Sequence, residues 1–162
     1  MEITSKSRSI PTLYEWAGGI ERLEALFSAF YERVPQDPIL GEVFAHMSKE
    51  HSKTVAHFVA EVLGGPKFYT TDGRHGHSTM VAKHLSRHLT EAQRKRWVDL
   101  LLDTADKIGL PDDPEFRSAL VGYLEWGSRI AVINSKTSDN PIDNSAPMPA
   151  WGWGEVKGPY IL

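Results

Sequence analysis

The sequence predicts an all-α fold, and three observations carry that prediction. Apolar residues recur at three- and four-residue steps along most of the chain. Helix boundary signals flank those stretches, with cap residues at the starts and glycine or proline at the stops. No stretch alternates apolar and polar residues as a half-buried strand does, and there is no internal repeat. At 162 residues the chain is one domain's worth, long enough to bury a sizeable core.

The elements follow in order. After Gly18-Gly19, the stripe Leu23, Leu26, Phe27, Phe30, Tyr31 and Val34 defines a helix. Pro35 and Pro38 break it, and "PQDPILGEVF" reads as a tight corner with a short helical turn. A second amphipathic helix carries His51, Val55, Phe58, Val59 and Val62 and stops at "GGP", residues 64–66. "KFYTTDGRHG" is a loop longer than the usual connection, hence a place to look for function. A short helix from about His77 to Leu85 follows. Thr90 and Gln93 have capping-box spacing before a helix whose face is Trp97, Leu100, Leu101, Thr104, Ala105 and Ile108. Asp113-Pro114, a cap followed by a first-turn proline, opens the last helix, faced by Phe116, Leu120, Tyr123, Leu124, Gly127, Ile130 and Ala131.

Periodicity ends at Ser135. The expected organisation is therefore a helical domain over residues 1–135 and a Pro/Gly-rich extension over 136–162, partly docked or disordered. Trp151 and Trp153 argue for docking of part of it, because bare indoles in water are unfavourable.

Composition narrows the function. The net charge of −3 offers no electrostatic case for nucleic acid or an anionic membrane. With no cysteine, disulfides, thiolate zinc sites, iron–sulfur clusters and covalent haem attachment are excluded. The start, "MEITSKSRSIPTLYEW", has no apolar run resembling a secretion signal, and no stretch approaches the roughly 20 apolar residues of a membrane span. A cytoplasmic protein is expected.

The chemistry centres on "MVAKHLSRHLTEAQRKRW", residues 80–97, with His84 and His88 four apart. A two-histidine zinc site is disfavoured: position 85 is Leu, so the glutamate of H-E-x-x-H is missing, and Thr90 starts a new helix. His88 then falls past the short helix, as an exposed or helix-terminal residue. His84 shares its turn with Met80 and Val81, beside apolar neighbours. Alone it reads as a hydrogen-bonded core histidine. Tyr31, Trp97 and His51 each read singly as a core aromatic or a helix-start histidine. Jointly they direct three polar tips into one helical core, where buried polar groups need partners. A bound ligand or cofactor would satisfy them all.

These motifs resemble the group II truncated haemoglobins, over roughly residues 10 to 135. The resemblance rests on Gly18-Gly19, "FY" at 30–31, Phe44, "GGP", "GHSTMVAKH" at 76–84, and Trp97 thirteen residues beyond His84. It implies a two-over-two helical sandwich around noncovalent haem b. By position it makes His84 the proximal iron ligand and Tyr31, Trp97 and His51 the distal groups. Phe30, Phe44, Val55, Phe58 and Val59 would line the haem, with Lys83, Arg74 and Tyr69 toward the propionates. The sequence departs from the family pattern at Ser78, where proline is usual, at Lys83 for arginine, and at Leu85 for an aromatic.

Neutral imidazole binds ferrous iron and leaves the opposite position for a diatomic ligand. The expected function is thus reversible binding of O₂, with CO and NO as further ligands, in a monomer or homodimer. The alternative is a haem enzyme for NO dioxygenation or peroxide-dependent oxidation, with a reductase as partner. A haem-free helical interaction module is the third reading.

Overall fold

In a computed structural model, which describes residues 9–73 and 75–162, the apolar stripes close on one another as two crossed helix pairs. The helices are α1 (Leu13–Ala17), α2 (Ile20–Arg33), α3 (His51–Val62), α4 (His77–Ala82), α5 (Glu91–Ile108) and α6 (Pro114–Ser135). α2 packs on α3, α5 packs on α6, and α2 crosses α5 to join the pairs. This is the two-over-two sandwich. Phe27, Phe30, Leu23 and Leu26 of α2 are almost fully buried, as are Leu101 of α5 and Phe116 of α6. Each such side chain contributes about 1.5–3 kcal/mol by leaving water.

The boundaries have local causes. Thr90 Oγ1 accepts the Gln93 amide at 3.1 Å while Gln93 Oε1 accepts the Thr90 amide at 2.9 Å, so α5 starts on the expected capping box. Asp113 Oδ2 caps α6 by accepting from the Phe116 amide at 3.0 Å. The stop after α3 needs glycine for space. A Cβ on Gly65 would lie 2.8 Å from the Ala60 carbonyl oxygen and 2.7 Å from the Tyr14 ring. Helix α1, on Thr12 as cap, has no counterpart in the sequence reading. Its five residues are too few to display a period.

One boundary shifts. The short helix ends at Ala82 rather than near Leu85, and residues 83–86 continue as turns. His84 and His88 therefore share no helix face; His88 takes a left-handed φ of 51° and is exposed. The corner after α2 is, as expected, a short helical turn, a 3-10 helix over Val34–Gln36, followed by turns through residue 46.

The extension runs back over the helices. The Trp151 amide donates to the Val62 carbonyl at 2.8 Å, and its ring packs 5.9 Å from Tyr123 and 5.7 Å from Trp126. Trp153 Nε1 donates to the Pro11 carbonyl at 2.8 Å, beside Trp16. Tyr160, by contrast, is 89% exposed. No helix among the described residues is long and apolar enough to cross a membrane.

Candidate functional site

The corner between α2 and α3 is shaped by a buried carboxylate. Asp37 Oδ1 accepts the amides of Ile39 (3.0 Å) and Leu40 (2.9 Å), and Oδ2 accepts Arg96 Nε at 2.6 Å. Burial alone would raise the Asp37 pKa, but the Leu40 amide, the Arg96 guanidinium and the Ile39 amide outweigh it and hold it below the ordinary value. The sequence reading passed over Asp37, since an aspartate between two prolines looks like an ordinary turn residue. Because its folded pKa is depressed, its stabilising contribution is complete above the unfolded value of about 3.9 and is lost as pH falls through the folded value. Asp37→Asn is expected to cost about 1–3 kcal/mol at pH 7 and to flatten the stability loss below about pH 4. Denaturant melts of both proteins from pH 7 to pH 3 check this; equal acid dependence would remove Asp37 from the account.

That corner, α3, the α4 segment, α5 and α6 enclose a cavity of about 660 Å³, within the usual range of roughly 300–1,000 Å³ for small-molecule sites. Of the residues named from the sequence, Tyr31, Phe44, His51, Val55, Phe58, Val59, Lys83, His84 and Trp97 line it. Phe30 and Tyr69 do not. Phe30 is fully buried behind the wall, edge-on to Tyr31 at 4.8 Å and to Trp97 at 5.8 Å, so it supports those rings. Tyr69 packs edge-on to Phe58 at 5.1 Å, and its hydroxyl is paired with Thr79 Oγ1 at 3.2 Å. Its hydroxyl thus ties the long loop to α4. Arg74 lies outside the described residues.

His84 is oriented by its own turn. Its Nδ1 sits 2.9 Å from the Met80 carbonyl oxygen, which can only accept, so Nδ1 carries the hydrogen. Burial lowers the ring's pKa, more than the Met80 carbonyl raises it. The imidazole is thus neutral with Nε2 as its available lone pair.

The other wall is aromatic. The His51 ring stands edge-on to Tyr31 at 4.8 Å, and Phe44 packs on both, 5.5 Å from Tyr31 and 5.8 Å from His51. Burial raises the Tyr31 phenol well above its usual range, and the approaching Trp97 indole N–H offsets this only in part. His51 is pushed down to about 4, first by burial and then by the nearby cations Lys83 and Arg87. Its buried Nε2 has no hydrogen-bond partner among the described residues, and such an orphan costs about 1–3 kcal/mol. A group inside the cavity would relieve it. These features fit a flat, largely apolar cofactor whose metal takes one imidazole nitrogen: a free Nε2 at His84, apolar walls from Phe44, Val55, Phe58 and Val59, and an unmet polar atom at His51.

Several cavity residues escaped the sequence reading. Arg87 lines the cavity beside Lys83, whose carbonyl accepts its Nε at 2.7 Å; its signal was its spacing, one turn beyond Lys83. Arg94 is 7% exposed and also lines the cavity, bonding Glu91 on its own helix and Glu125 and Ser128 of α6. In "EAQRKRW" nothing separates it from its exposed neighbour Lys95. Gly127, Ile130 and Ala131, expected as core, line the cavity instead.

A two-over-two helical sandwich enclosing a cavity with one oriented, neutral histidine defines the globin class. The Bacterial-like globin family model matches residues 12–125. A group 2 truncated hemoglobin of Bacillus subtilis (strain 168) is 34% identical over 121 residues, covering 75% of this chain and 89% of that protein. The crystal structure of the group II truncated hemoglobin from Bacillus anthracis superposes with a TM-score of 0.69 at 25% identity, covering 83% of this chain and 98% of that one. The X-ray structure of a truncated oxygen-avid haemoglobin from Bacillus subtilis does so at 0.65 and 34%, covering 75% and 99%. The chain belongs to the bacterial-like globins and, within them, to the group II truncated haemoglobins. The family implies haem with its iron.

Proposed function

We propose that the chain holds haem b noncovalently through His84 Nε2 and reversibly binds O₂, and likewise CO and NO, beside Tyr31, Trp97 and His51. The observation that carries this reading is the pairing of a buried His51 Nε2, without a partner among the described residues, with a His84 ring whose other nitrogen is already committed, both in one cavity. Haem supplies an iron with one open position for a diatomic ligand when one imidazole is bound. The chain's own residues do the rest. Met80 fixes the His84 tautomer. Phe44, Val55, Phe58 and Val59 keep water from the cavity. Lys83 and Arg87 offer cations for carboxylate groups at its side. Trp97, Tyr31 and His51 supply donors for a ligand that carries partial negative charge, each such bond contributing about 1.5–3 kcal/mol.

Residues 1–135 form the globin domain in this reading, with 136–162 as its extension. A second reading, peroxide-dependent oxidation, is favoured by one feature: His51 is neutral at pH 7 and keeps a ring nitrogen free to take up a proton. Protein expressed with haem supply is expected to show a Soret band that shifts on reduction and again with CO. Colourless protein would overturn both readings. O₂ release without turnover of peroxide and a small reductant supports the first; sustained turnover, abolished by His51→Ala, supports the second.

A further inference from the structure

The segment that carries His84 has little of its own to hold it. α4 is six residues long, buries only Val81, and packs extensively on no other helix. An isolated helix of that length is unstable in water. The chain then takes left-handed φ values at Ser86 (61°) and His88 (51°), a conformation that non-glycine residues avoid. Something outside the segment must fix it.

The end of α6 and the extension do so from both sides of His84. Six residues before it, Asn140 Nδ2 donates to the Ser78 carbonyl at 3.0 Å and to Ser78 Oγ at 3.3 Å, and Ser78 Oγ donates to Asn144 Oδ1 at 3.3 Å. Two and four residues after it, the Ser86 amide donates to the Thr137 carbonyl and the His88 amide to the Ser135 carbonyl, both at 2.9 Å. The Leu89 amide donates to Ser135 Oγ at 2.9 Å. Both left-handed residues are thus bonded to residues at or beyond the end of α6. Asn140 is itself set by accepting the Ile142 amide at 3.1 Å. Further on, Pro149 lines the cavity and the Trp151 amide is tied to α3. The family match ends at residue 125, so the residues that grip the segment, 135–144, lie beyond it.

We infer that residues 135–149 are a strap that positions the His84 segment from outside the helical core, with Asn140 as its main positioning side chain. The inference rests on the haem reading for its consequence, which is retention of haem by a pre-set imidazole. It does not rest on that reading for the strap itself. An unpinned segment 77–88 would have to be ordered each time haem binds, and the cofactor would leave faster.

The test uses the full-length chain as wild type, Asn140→Ala and Trp153→Phe. The last removes a tail bond, to Pro11, that does not touch α4. For Asn140→Ala we expect amide exchange across residues 77–88 to quicken by about tenfold, with α2 and α5 unchanged. Ferric haem should pass to excess apomyoglobin about fivefold faster, the effect of losing roughly one hydrogen bond. The iron–histidine Raman band of the ferrous form should shift or broaden, which a general loss of stability does not cause. Trp153→Phe should melt earlier with none of these changes. The strap is overturned if Asn140→Ala keeps wild-type exchange and haem transfer, or if Trp153→Phe loosens residues 77–88 equally. A wild type that takes up no haem removes the haem reading, while the exchange comparison still decides the strap.

Discussion

His84→Ala is expected to weaken haem retention by about 100-fold or more, with His88→Ala leaving the absorption spectrum unchanged. The difference follows from geometry. His84 lines the cavity, and its Nδ1 is bonded to the Met80 carbonyl at 2.9 Å, so its tautomer and orientation are set in advance. Removing just the hydrogen-bond partner of a metal ligand typically costs about 10–100-fold in affinity, and here the ligand itself goes. His88 lies past the helix end, exposed, with its amide bonded to the Ser135 carbonyl. Adding free imidazole to His84→Ala should restore much of the spectrum by filling the vacated space with the same nitrogen base. Haem titration followed in the Soret band measures all three. Undiminished affinity in His84→Ala, or haem loss in His88→Ala, would falsify the assignment.

Trp97→Phe is expected to speed O₂ release by about tenfold, equivalent to ~1.4 kcal/mol, with a much smaller effect on CO. Phenylalanine keeps an aromatic edge against Phe30, which stands 5.8 Å from Trp97, so the change removes the indole N–H with limited cavity formation. O₂ draws more electron density from iron than CO does, and a donor therefore discriminates between them. Tyr31→Phe should act in the same direction. The double variant should fall short of the sum, because the Trp97 N–H approaches the Tyr31 hydroxyl and each loss alters what the other can do. Stopped-flow dissociation of both ligands is the measurement. Equal acceleration for O₂ and CO would point to easier escape rather than a lost hydrogen bond.

Much of the helical frame was legible in the sequence because its causes are local. Stripes at Leu23–Val34 and Leu100–Ile108, the Thr90–Gln93 box and the Asp113-Pro114 start depend on residues within a turn or two of each other. Helix α1 was not legible, and α4 was read too long by about one turn, because residues 83–86 keep helical spacing while forming turns. Within the cavity, apolar and aromatic members such as Phe44, Val55 and Trp97 announced themselves by placement on a stripe or by the family motif. Of the charged members, Lys83 came with the family motif, but Arg94 did not show. Arg94, and Asp37 in the corner beside the cavity, are buried by partners 31 and 59 positions away in the chain, at Glu125 and Arg96, and no short stretch of sequence contains both ends of such a pair.

The sequence by itself determined the helical class, the stop at "GGP", the start at Asp113-Pro114, and the absence of thiol chemistry, since composition and short-range sterics decide these before the chain folds. Only the tertiary structure decided which polar tips share a cavity. It set Tyr69 against Thr79 and away from the cavity wall, Arg94 against Glu125, and His51 with a buried nitrogen that has no partner among the described residues. It also decided that residues beyond Ser135 grip the chain on both sides of His84. The reason is range. A hydrogen bond between Asn140 and Ser78 spans 62 positions, and such a pair is specified by how packed helices bring distant segments together rather than by any local preference of either residue.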